Sequence, residues 1–84
     1  MGVVEDLADA LARDAIEAAE RLGDDRLVED MARAIGAGST TAEEAFLTAV
    51  RIRLAIARGR RFLEERDARA KGTAGPAPSG SPGT

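Results

Sequence analysis

The stretch from Ser39 to Ala57, STTAEEAFLTAVRIRLAIA, decides the fold of this chain. Thr40 and Thr41 each stand three positions before a glutamate, a spacing typical of the capping box that begins a helix. No proline follows until Pro76. We therefore predict one long helix over residues 41–71, about 45 Å long at roughly 1.5 Å per residue.

The first half of this predicted helix is apolar around much of its circumference. One side carries Leu47, Val50, Leu54 and Ala57; the other carries Ala45, Ala49, Ile52 and Ile56, with Phe46 between them. A helix that is apolar most of the way round is usually buried most of the way round. Two shorter helices can cover one side, so we expect a second copy of the chain or another protein on the other.

Two shorter helices precede the long one. The first is predicted over residues 4–22, ending before Gly23, and its apolar face follows the three-four spacing of Val4, Leu7, Leu11, Ala15, Ala18 and Leu22. The neighbouring residues Ala8, Ala12, Ile16 and Ala19 widen that face. The second is predicted over residues 25–35, with Asp24 or Asp25 as its cap. The expected fold is all-α, a three-helix bundle or hairpin with a long third helix, and dimeric.

The last residues, 72–84, have the composition of a disordered tail. They contain four glycines and three prolines, and they contain neither a charge nor a large apolar side chain. This leaves 71 of the 84 residues to form one helical domain. A domain that short is marginally stable alone, and without cysteine it has no disulfide, so oligomerisation is the expected extra source of stability.

Charge is distributed unevenly along the chain. Residues 1–50 carry twelve acids and four arginines, a net charge of −8, whereas residues 51–71 carry eight bases and three acids, a net charge of +5. This asymmetry fits antiparallel self-association, and it also fits an acidic partner or a nucleic acid at the basic end. The candidate nucleic-acid contacts are Arg51, Arg58, Arg60, Arg61 and Arg66.

One short segment resembles a DNA-binding motif. Arg58-Gly59-Arg60 is similar to the Arg-Gly-Arg core of AT-hook segments, which lie extended in the narrow minor groove of A·T tracts. The prolines that usually flank that core are replaced here by Ala57 and Arg61. A solvated helical face explains the same residues and is the interpretation we favour.

Arg53 stands within an otherwise apolar arc of the long helix. A buried unpaired guanidinium is very unfavourable, so this side chain either reaches the edge of the core or meets a carboxylate. An anchor for a partner and a simple edge residue are both open. The candidate partner-interface residues are Phe46, Val50, Arg53, Leu54, Ala57, Phe62 and Leu63.

The residue types argue against catalysis. Histidine, cysteine and tyrosine are absent, and the hydroxyls of Ser39, Thr40 and Thr41 have no base to activate them. We expect no catalytic residues, no cofactor and no metal. The predicted function is a non-enzymatic helical protein–protein interaction module, either a homodimer or a small accessory subunit of a larger complex. The alternative is a small nucleic-acid-associated regulator that uses the basic half of the third helix.

Apolar runs are short throughout. None approaches the roughly 20 residues of a membrane helix, so no membrane partner is expected. The opening residues MGVVED also lack the basic-then-apolar order of a signal peptide. We therefore expect a cytoplasmic protein.

Overall fold

The computed structural model describes residues 2–74, and within that range the chain is helical with no strand. Helix α1 spans Val3–Leu22, α2 spans Leu27–Gly36 and α3 spans Thr40–Ala74. The all-α class is therefore confirmed. The third helix runs through Gly59 without interruption and continues three residues past the predicted boundary; the rest of the predicted tail, residues 75–84, lies outside the described residues.

The chain divides after Leu54 into two compact units. We call the described part of the first, residues 2–54, the N-terminal unit, and the described part of the second, residues 55–74, the C-terminal segment. The N-terminal unit contains α1, α2 and the first part of α3. The C-terminal segment is helical throughout.

Phe46 is the centre of the core in the N-terminal unit. It is only 1% exposed and lies in one cluster with Val50 of α3, Ala12 and Ala15 of α1, and Ala32 of α2. Half-buried side chains pack around this cluster: Ile16, Val28, Met31, Ile35, Leu47 and Ala49. The alanines beside this one large ring are consistent with close packing, because small side chains let the neighbouring helix backbones approach the ring.

Helix α1 turns inward the alanine edge of its predicted apolar face rather than the leucines. Ala8, Ala12 and Ala15 are buried, whereas Leu7 and Leu11 are exposed. Val4 and Leu22 are exposed too, so Ala15 is the only buried residue of the predicted three-four spacing. The space beside Phe46 accounts for this, because an alanine surface can approach the ring where a leucine surface would overfill the core.

The ends of α1 and α2 are set by local hydrogen bonds. Gly23 follows α1 with φ 65°, the left-handed conformation that the sequence predicts there. The amide of Gly23 donates to the Glu20 carbonyl and that of Asp24 to the Ala19 carbonyl, which is the Schellman pattern. A carboxylate oxygen of Asp24 accepts the Arg26 amide at 2.9 Å in the turn before α2. The residue that precedes α2 is Arg26, and no side chain caps the helix, so the predicted cap by Asp24 or Asp25 is wrong.

The cap of α3 differs from the prediction. Ser39 precedes the helix, and its hydroxyl accepts the Ala42 amide at 3.0 Å. Thr40 and Thr41 lie inside the first turn, so the predicted capping boxes that begin at these two threonines are wrong. Because the third residue after Ser39 is an alanine, the reciprocal glutamate bond of a capping box is not formed and Ser39 caps the helix alone.

Candidate protein-interaction surface

An open groove runs between the start of α1 and the first part of α3 in the N-terminal unit. It encloses about 710 Å³, and its apolar lining comes from Val3, Val4, Ala45, Ala49 and Ile52. Ile52 is 56% exposed and Val3 is also exposed, so this lining faces solvent. Apolar surface that is concave and uncovered by the chain itself is typical of a binding site.

Polar groups surround this apolar lining. The carboxylates of Glu5, Asp9 and Glu44 line the groove, together with the hydroxyls of Thr41 and Thr48. Every charged side chain in the lining is therefore acidic. An occupant with an apolar face and basic flanks would be complementary to it in both respects.

Asp9 is already engaged within the chain. Arg53 donates from Nε to one carboxylate oxygen of Asp9 and from its terminal Nη2 to the other, each at 2.7 Å. The side chains are 34% exposed for Arg53 and 53% exposed for Asp9. The carboxylate that was expected beside Arg53 therefore comes from Asp9 of α1. The two hydrogen bonds of this pair hold α1 against α3 at the wall of the groove.

The pair changes the ionisation of both partners. The hydrogen bonds from Arg53 lower the pKa of Asp9 below its ordinary value of 3.8, because they favour the charged carboxylate. The same bonds raise the pKa of Arg53. Near neutral pH both groups are charged and pair with each other, and Glu5 and Glu44 are the other two acids in the groove lining.

The predicted interface residues fall into three environments. Phe46 and Val50 are buried in the core of the chain itself, so neither offers surface to a partner, and this corrects their assignment. Leu54, another candidate interface residue, is exposed. The two predicted interface residues of the C-terminal segment with large side chains, Phe62 and Leu63, are both 62% exposed, while Ala57 is half-buried.

The basic candidates lie on exposed helix. Arg58, Arg60, Arg61 and Arg66 belong to the C-terminal segment, and Arg51 belongs to the N-terminal unit. The Arg66 guanidinium lies 5.1 Å from the centre of the Phe62 ring, a cation–π contact within the helix. The segment around Gly59 is helical, in contrast to the extended conformation of AT-hook cores.

Sequence reasoning missed one half of the groove. Ile52 was predicted to lie on one of two apolar sides of the third helix, and it is exposed in the groove. Val3 and Glu5 line the other wall of the groove. No sequence pattern predicted this position, because the alanines of α1 were expected only to widen a leucine face. The position of α1 against Phe46 decides which of its residues meet α3, and this is a tertiary effect.

Three further observations concern metal binding, membrane-spanning helices and similarity to known proteins. Within residues 2–74, no group of three metal-binding side chains comes together. Over the same residues, every helix is too short or too polar to cross a membrane. No known protein family, curated protein or solved structure matches this chain.

Proposed function

We propose that this chain is a non-enzymatic helical protein–protein interaction module that works as a homodimer. The observation that supports the proposal best is the open groove of the N-terminal unit, with Ile52 exposed in its lining. Burial of apolar area stabilises by about 25 cal/mol per Å², so exposed aliphatic side chains in a concave site favour association.

A three-helix bundle in the N-terminal unit is part of this proposal. Its buried core consists of one large ring, Phe46, one valine and four alanines, with half-buried aliphatic side chains around them. A core of this size supplies few kcal/mol beyond the entropy of ordering the chain, as is usual below about 70–80 residues. Covering the groove in a dimer would add to that stability and would make melting depend on protein concentration.

The homodimer is favoured over a subunit of a different complex because the chain contains both kinds of charge. The N-terminal unit carries an excess of acids, with Glu5 and Glu44 at the groove. The C-terminal segment carries an excess of bases, and three of its large apolar side chains, Ile56, Phe62 and Leu63, are exposed. A second copy therefore brings surface that is complementary to the groove.

Sedimentation equilibrium of the full chain tests the proposal. We expect the wild type to reach twice the mass of one chain at micromolar concentration, and Ile52→Glu to stay monomeric with an unchanged helical circular dichroism spectrum. Leu7→Glu is the matched control, because Leu7 is as exposed as Ile52 but does not line the groove. A wild type that stays monomeric at the highest attainable concentration would contradict the homodimer, as would loss of the dimer in the control alone.

A further inference from the structure

Two of the large apolar side chains of the C-terminal segment, Ile56 and Leu63, lie on one helix face with a glycine between them. Ile56, Gly59 and Leu63 follow the three-four spacing of a single helix face. Ile56 and Leu63 are both exposed, and a side-chain atom added at Gly59 would meet no other atom within 4 Å. With one aliphatic side chain on each side of a glycine, this face can be approached closely by another helix.

Basic groups stand on both sides of this face. Helical spacing places Arg60 along one edge and Arg66 along the other, while Arg58 and Arg61 lie toward the opposite side of the helix. Asp67 is near the same face, and its carboxylate is bound by Lys71 at 3.1 Å. The face therefore presents aliphatic groups between two arginines.

We infer that the groove of the N-terminal unit binds the C-terminal segment of a second copy of this chain, with the Ile56–Leu63 face on the apolar lining and Arg60 and Arg66 toward Glu5 and Glu44. This inference rests on the proposed homodimer and names the surfaces that form it. Exchange of the same contact in both directions closes a two-fold dimer.

The dimensions of the two surfaces agree. The α3 residues that line the groove run from Thr41 to Ile52, about 16 Å along the helix, whereas Ile56 to Leu63 covers about 10 Å. The apolar face is therefore shorter than the groove, which leaves room for Arg66, about one helical turn beyond Leu63. The acids meet the arginines at the edge of the contact, where charge sets partner choice and orientation.

Charge reversal in separate chains tests this pairing. The groove variant carries Glu5→Arg and Glu44→Arg, and the segment variant carries Arg60→Glu and Arg66→Glu. Each alone places like charges together in both contacts and should be monomeric at a concentration where the wild type is dimeric. Mixed in equal amounts, they should form a heterodimer, because each groove then meets a segment of opposite charge.

A matched control carries Arg58→Glu and Arg61→Glu, which change the net charge by the same amount on the other side of the helix. We expect this variant to remain a homodimer. The inference is overturned if the wild type dimerises and the groove and segment variants also remain homodimers, or if their mixture stays monomeric. Failure of the wild type itself to dimerise would instead overturn the proposed function, so the two failures are distinguishable.

Discussion

Asp9 of α1 and Arg53 of α3 are joined by two hydrogen bonds of 2.7 Å, although 44 residues separate them in sequence. Among the described residues, this is the only pair of side chains from different helices that form hydrogen bonds with each other. It lies beside the groove, because Asp9 is part of the groove lining.

Removing the charge of Asp9 should lower the free energy of unfolding. Asp9→Asn keeps the size of the side chain but replaces one carboxylate oxygen with a donor that cannot accept from Arg53. Asp25→Asn is the control, because the Asp25 side chain is exposed and makes no hydrogen bond or ion pair within the described residues. Urea unfolding at neutral pH should show a loss for Asp9→Asn alone; equal losses in both variants would contradict the role of the pair.

The contribution of this pair should depend on pH in one direction. The pKa of Asp9 is lower in the folded chain than its ordinary value of 3.8, so the unfolded chain binds the proton more tightly. The stabilisation is fully present above pH 3.8 and is lost as pH falls through the folded pKa. The difference in unfolding free energy between wild type and Asp9→Asn should therefore be constant near neutral pH and shrink in acid; a difference that grows in acid would be inconsistent with this pKa.

The two phenylalanines should respond in opposite ways to truncation. Phe46→Ala removes the ring at the centre of the core and should cost about 3–5 kcal/mol, enough to unfold a domain of this size. Phe62 is exposed, so Phe62→Ala in the monomer should change stability by less than about 0.5 kcal/mol. Chemical denaturation at a concentration that keeps the chain monomeric compares them, and similar losses would show that the core is assigned wrongly.

Ser39, rather than either threonine after it, should determine the stability of the start of α3. Ser39→Ala removes the acceptor of the Ala42 amide and should cost about 1 kcal/mol. Thr40→Ala and Thr41→Ala lie within the first turn and should change the unfolding free energy by only a few tenths of a kcal/mol. A larger loss at Thr40 or Thr41 would restore the capping box that the sequence suggests.

The start of α3 and the buried face of α1 show what the sequence could and could not predict. Helix number, helix type and the stop at Gly23 were predictable, because periodicity and glycine placement act locally. The cap of α3 was misplaced by one residue, since three adjacent hydroxyl residues all satisfy the local rule. The leucines of α1 were wrongly predicted to be buried. Which residues of α1 are buried depends on which side chains fit beside Phe46, and the three-four spacing of leucines contains no information about Phe46.

Glycine substitutions should separate two backbone roles. Gly23→Ala places a side chain at φ 65° and should destabilise by about 1 kcal/mol. Gly59→Ala lies inside α3 with open space around it and should stabilise the helix by roughly 1 kcal/mol, with a stronger helical signal in circular dichroism of the monomer. Destabilisation by Gly59→Ala in the monomer would argue against a continuous helix there.

In the proposed dimer, the acidic groove of one copy binds the basic segment of another. The most direct measurement is the sedimentation mass of an equimolar mixture of the groove variant and the segment variant. We expect each variant to be monomeric alone and the two variants to form a dimer when mixed. A mixture that stays monomeric, at a concentration where the wild type is dimeric, would contradict it.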